Sequence, residues 1–198
     1  MRVAINLLLG AFCLPAAAAA LPPCVQPVRF SAAWFADPEV DNSKSTSELK
    51  ALAAAVAVAG KGTQLGHVMV QTKLVVVPQE SCAGVTVQLD YLRPALRVAS
   101  EIPPGSCAYA SVMNHEQTHV RIHRDIARQF RALDFPWPQG ASSAAILAFA
   151  KQELDRLMQA QRLFDSPEEY ARNQTVCGGE IGRLVKPKAS AGPTREPA

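Results

Sequence analysis

The sequence predicts an α+β fold: a small, mostly antiparallel sheet of about four strands packs on one long helix, and two further helices follow. Three observations carry this reading. Between residues 68 and 102 apolar and polar residues alternate with a period of two, as half-buried strands require. A helical pattern then runs from 106 to 134 and stops at Phe135-Pro136-Trp137-Pro138. Two more helical patterns complete the chain before a tail without apolar periodicity. With 198 residues, 48% hydrophobic and 19% charged, and no internal repeat, the chain reads as one domain.

Residues 1–20 read as a cleavable export signal, with Arg2 followed by an apolar stretch and then alanines. The stretch is shorter than the ~20 residues of a membrane span. Phe12 before Cys13 and Pro23 before Cys24 do not offer the small residue that lipoprotein processing needs. An exported, periplasmic or secreted protein without stable membrane insertion is expected. A single domain then covers 21–184, and 185–198 form a disordered tail. The net charge of +3, reduced by one when Arg2 leaves, is too mild to argue for nucleic acid.

Removal of Cys13 leaves Cys24, Cys82, Cys107 and Cys177, an even set bound for an oxidising compartment. Two disulfides are expected, with free buried thiols the alternative. Four cysteines permit three pairings that the sequence leaves open; a bridge between Cys107 on the long helix and Cys177 on the last would fix those two elements relative to each other and leave Cys24 for Cys82. No spacing is a CxxC of the zinc-ribbon or redox kind.

The elements follow in order. A short strand is predicted at 28–35, followed by a polar loop, ADPEVDNSKSTS, over 36–47. Ser45 and Glu48 have capping-box spacing and open a helix over 46–59 that Gly60 ends. Val68, Val70, Leu74 and Val76 mark one strand; after a turn at 78–84, Val85, Val87, Leu89 and Tyr91 mark a second. Arg93-Pro94 separates it from a third, marked by Leu96, Val98 and Ile102, with Pro103-Pro104-Gly105 beyond. Ser106 starts the long helix. A helix over 143–164 and another from Ser166-Pro167 to Cys177, stopped by Gly178-Gly179, come after it.

The long helix contains His115-Glu116-Gln117-Thr118-His119, an HExxH motif. Residues four apart share a helix face, so two imidazoles can bind one zinc ion while the glutamate between them serves as a base. At about 100° per residue, with Val112 at zero, His115, Glu116 and His119 fall near 300°, 40° and 340°. Val120, Ile126, Ala127 and Phe130 share that face, whereas Arg121, Arg124, Asp125 and Arg128 lie opposite. The motif therefore points into the core, where two histidines and a glutamate need partners that a metal supplies. Satisfied core histidines with an ion-paired glutamate are the alternative.

The stretch RVASEIPPGSCAYASVMNHEQTHVRIHRDIARQF resembles the core of zincin metallopeptidases, a strand leading into an HExxH helix. It is similar, more closely, to a group of secreted bacterial zinc peptidases with an HEQxH motif. The resemblance spans about residues 25–182, and only HEQTH is specific within it. It implies Zn2+ on His115 and His119, Glu116 as general base, and hydrolysis of peptide bonds in a peptide or protein substrate. An oxyanion-assisting group would come from His67, His123 or Tyr170. In zincins the strand before the helix lies near the substrate, which here gives the strand ending at Ile102 a peptide-pairing role. An exported zinc-binding scaffold without hydrolytic activity is the alternative function, and a purely disulfide-stabilised structural protein a third.

The third ligand is not set by the motif. His123 is eight residues from His115, roughly 12 Å along the axis, too far for one ion while the helix continues. Asp125 stands where HExxHxxGxxH proteins place theirs, but Ile122 occupies the glycine position that would let the chain leave the helix. A later element is expected, as in gluzincins. If Tyr170 and Cys177 face inward, Glu169 lies about 80–100° from each and Glu168 about 160–180° away. Glu169 is preferred, although Ser166 and Glu169 also have capping-box spacing; Glu168, Asp165, Glu180, Glu153 and His67 are the alternatives.

Overall fold

The computed structural model describes residues 27–34, 37–55, 63–78, 84–136 and 141–185. The export signal, Cys24, Cys82 and the tail beyond Val185 lie outside the described residues, as does the expected Cys24–Cys82 bridge.

The order of elements is β1 (Val28–Ala32), β2 (Val40–Asp41), α1 (Thr46–Ala55), β3 (Gly66–Pro78), β4 (Val85–Val98), α2 (Cys107–Arg131), α3 (Ser143–Leu157), α4 (Gln159–Phe164), α5 (Pro167–Thr175), a 3-10 turn (Val176–Gly179) and α6 (Glu180–Leu184). The chain is thus mixed helix and strand. Its sheet is mixed too: β3 pairs antiparallel with β4 along nearly its whole length, while β1 and β2 pair with β4 in parallel. β1 runs beside 85–89 and β2 beside 96–97, so the two short strands share the edge of β4 opposite β3. β2 arises inside the segment expected to be loop.

The second and third strands expected on either side of Arg93-Pro94 are one strand. Pairing passes from Met69 with Ala95 to Gln71 with Leu92, so Arg93 and Pro94 together oppose Val70 as a β-bulge. Arg93 takes φ 50°, and Pro94 offers no N–H to the ladder. The bulge also shifts the side-chain phase: Val85, Val87, Leu89 and Tyr91 are buried before it, Leu96 and Val98 after it. This odd-numbered slip is why the alternation reads as two strands. Residues 99–102 leave the ladder, and Ile102 is fully buried, so the peptide-pairing role expected of that segment has no strand to carry it.

Ser45 and Glu48 form the expected capping box, the Ser45 N–H donating to Glu48 Oε2 at 2.8 Å and the Glu48 N–H to Ser45 Oγ at 3.3 Å. Ser106 caps α2 by accepting from the Tyr109 N–H. α2 buries Ala108, Val112, Glu116, Val120, His123, Ile126, Ala127 and Phe130, the face that the helix projection selects. Its C-terminal half packs with Phe30, Val87, Leu89, Ile146 and Leu154, its N-terminal half with Leu49, Leu96, Val98, Ile102 and Ile181. Full burial of side chains such as Phe130, Leu89 and Ile102 stabilises by about 1.5–3 kcal/mol each.

The helix expected over 143–164 is broken at Met158 into α3 and α4. A short α6 follows the turn in which Cys177, Gly178 and Gly179 all have positive φ. α4 lies against α2 through Gln161 and Phe164, and Asp165 falls at the corner between α4 and α5. Among the described residues no helix is long and apolar enough to cross a membrane.

Candidate metal centre

The i, i+4 spacing on α2 sets the His115 and His119 rings 4.9 Å apart, half-buried beneath Phe164. Their Nε2 atoms are 3.2 Å from each other. Asp165 Oδ1 completes the triangle at 3.3 Å from His115 Nε2 and 3.1 Å from His119 Nε2. Donors bound tetrahedrally to zinc at about 2.0–2.2 Å stand roughly 3.3–3.6 Å from one another, so the three atoms match a metal's ligand edges within a few tenths of an ångström.

Their protonation fits a cation as well. Gln161 Nε2 donates to the His119 carbonyl at 3.0 Å, which turns Gln161 Oε1 onto His119 Nδ1 at 2.6 Å. Nδ1 of His119 therefore carries a proton, so in the neutral ring Nε2 is the lone-pair atom that faces the triangle. Asp165 Oδ1 is buried, and among the described residues the two imidazole nitrogens are the polar groups it faces. Burial pushes the Asp165 carboxyl up, but the two imidazoles beside it outweigh that and hold it below the ordinary carboxylate range. His119 is raised: burial opposes its charge, and Asp165, Glu116 and Gln161 more than offset that. An anionic oxygen and an imidazole lone pair facing each other at this distance repel unless positive charge lies between them, and two imidazoles with one carboxylate suit zinc.

The carboxylate brought to this position is Asp165, an alternative in the sequence reading, and not Glu169. Glu169 Oε1 lies on the other side of the His115 ring, 3.7 Å from Nδ1, and Glu169 Oε2 pairs with Arg172 at 2.9 Å. The projection that favoured Glu169 identified its facing correctly but not which ring nitrogen it meets. Glu169 also donates its N–H to the Ser166 cap at 3.3 Å. Glu168 is exposed in the first turn of α5, and Glu153 pairs with Arg156. Glu180 Oε2 accepts from the Ala108 N–H at 2.8 Å, capping α2 from across the fold. Cys107 and Cys177 form the expected disulfide, with Cα atoms 5.7 Å apart.

Glu116 is 4% exposed and packs against the start of β3. Its carboxylate accepts from the Val68 N–H, and a Cβ on Gly66 would lie 2.4 Å from its Oε1. Burial pushes its pKa up to about 7, against the lowering pull of His119, His115 and the Val68 amide. That value suits a group that takes and returns a proton near neutrality.

His123 is buried one turn beyond His119, edge-on to the Tyr91 ring, and its carbonyl accepts from Tyr91 Oη. His67 is buried at the start of β3, with Nδ1 unpartnered among the described residues. The side chain of Tyr170 lies outside the described residues. Sequence reasoning missed Gln161 and Phe164, because nothing in LDRLMQAQRLF marks which of its residues meet α2.

Comparison with protein-family models, curated proteins and solved structures finds no match to this chain.

Proposed function

We propose that this protein is an exported zinc-dependent metallopeptidase in which His115, His119 and Asp165 hold the metal and Glu116 is the general base. The observation that carries the reading is the triangle of two imidazole nitrogens and one carboxylate oxygen, 3.1–3.3 Å on each side, beside a buried glutamate. When bound by His115, His119 and Asp165, zinc would supply Lewis-acid activation of a water and of the scissile carbonyl. Glu116 accepts the proton of the attacking water on its carboxylate and returns it to the leaving amine. Gly66 and the Val68 amide hold that carboxylate against β3. Gln161 fixes the ring of His119, and Phe164 covers both imidazoles. The HEQTH motif and its resemblance to zincins support the same reading, and the Cys107–Cys177 bridge is compatible with export.

Metal analysis of the purified protein, paired with Glu116→Gln, tests it. Zinc is expected at one per chain in both, with casein hydrolysis lowered by about 10²–10⁴-fold in the variant. A wild type that holds zinc yet cleaves neither casein, denatured proteins nor cell-wall peptides favours the scaffold alternative. Absence of bound metal after chelator-free purification favours a disulfide-stabilised structural protein.

A further inference from the structure

We infer that Glu169 is the positioning carboxylate of His115, accepting from Nδ1 so that Nε2 faces the metal; this rests on the reading of His115, His119 and Asp165 as the metal's donors. Two rows of side chains carry the inference. On α5 and the turn after it, Glu169, Asn173 and Cys177 recur every four residues, facing Cys107 and His115 on α2. The disulfide locks one end of the rows. At the other end Glu169 Oε1 stands 3.7 Å from His115 Nδ1, and the Asn173 amide nitrogen 3.5 Å from the same atom.

An imidazole that binds a metal through Nε2 keeps its proton on Nδ1, which then needs an acceptor. A carboxylate offers only acceptors, whereas Asn173 presents its NH2 group to that atom. Glu169 is held for this task from two sides. Its backbone is fixed by the Ser166 cap, and its Oε2 by Arg172, while its side chain is only 17% exposed. An ion pair with Arg172 alone would not require half of a largely buried carboxylate to turn toward a ring nitrogen. His119 has a neutral counterpart in Gln161, so the two histidines are oriented by different chemistry, one by a carboxylate and one by an amide.

The test measures zinc affinity of the full protein by chelator competition, the visible spectrum of the Co2+-loaded form, and the tautomer of His115 in the metal-free protein by 15N NMR. Glu169→Ala is expected to weaken zinc binding by about 10–100-fold, to keep the four-coordinate cobalt spectrum, and to reduce the Nδ1–H tautomer of His115. Glu169→Gln, which retains an acceptor without charge, is expected to lie between. Asn173→Ala is expected to leave all three readouts near wild type. Zinc affinity within twofold of wild type in Glu169→Ala, or an effect carried by Asn173→Ala instead, overturns the assignment. A cobalt spectrum that changes coordination in Glu169→Ala makes Glu169 a ligand and also overturns it. Asp165→Ala distinguishes the two levels: if it retains zinc at wild-type affinity, the donor set itself is wrong and the inference falls with it.

Discussion

Gly66 and Glu116 are in direct contact: a Cβ added to Gly66 would lie 2.4 Å from Glu116 Oε1 and 2.6–2.7 Å from its Cγ and Cδ. The backbone of β3 thereby forms the wall against which the base rests, with the Val68 amide two residues further on donating to it. Gly66→Ala forces the carboxylate to move. We expect peptide hydrolysis to fall at least tenfold, and toward 10²-fold for a displacement of about 1 Å, while zinc content and circular dichroism stay at wild type. Unchanged kcat/KM would show that the carboxylate tolerates displacement and that its seat on β3 is not part of the machinery.

Gln161 holds the ring and the backbone of His119 at once, at 2.6 and 3.0 Å. Gln161→Leu keeps the bulk and removes both bonds. Zinc affinity is expected to drop about 10–100-fold, measured by competition with a chromophoric chelator. Retention of full affinity would mean that packing under Phe164 alone orients the ring.

His123 gives a pH dependence of stability that is separable from the metal. Burial, and then the charge of His119, lower its pKa to about 4, below the 6.5 of an unfolded histidine. The unfolded chain therefore binds the extra proton first, so this stability is present above pH 6.5 and is lost as the pH falls toward 4. Between pH 7 and 5 the loss is about 2 kcal/mol. His67, lowered chiefly by burial, acts in the same direction. Urea unfolding in the presence of a chelator should show a smaller loss across this range for His123→Phe than for wild type. Parallel curves would remove His123 as the cause.

The Cys107–Cys177 bridge closes a loop of sequence separation 70, for which chain entropy gives about 4 kcal/mol. The double Cys→Ser variant should therefore unfold at markedly lower denaturant concentration. Because the bridge anchors the turn after α5, zinc affinity should fall as well, by several-fold. A stability loss without any change in affinity would show that α5 docks on α2 without the bridge.

Asp165 discriminates the donor sets most directly. Asp165→Asn retains size and removes the charge, so zinc occupancy after dialysis should fall well below that of Glu169→Gln, read by elemental analysis. The opposite ranking would restore Glu169 to the metal.

Much of this was legible in residue order. Capping at Ser45, Ser106 and Ser166 and the inward face of α2 rest on local spacing, where the interacting groups are three or four residues apart, whereas the pairing of Cys107 with Cys177 across 70 residues was left open by residue order. The expected number of about four strands matches the sheet, but the strand boundaries failed where local pattern misleads: the bulge at Arg93-Pro94 slips the period-two phase and makes one strand look like two, while β2 falls in the expected loop.

The sequence by itself determined that His115 and His119 present two imidazoles on one face with Glu116 turned into the core, because 3.6 residues per turn leaves no other arrangement within one helix. Only the tertiary structure decided which carboxylate meets them. That choice depends on the corner at Asp165 between α4 and α5, which places Asp165 on the Nε2 side of the rings and leaves Glu169 beside Nδ1. Helix periodicity gives the facing of a residue within its own helix. Where a corner between two helices lands on a third is set by packing against α2, Phe164 over the imidazoles and the disulfide at the far end, none of which has a local signature.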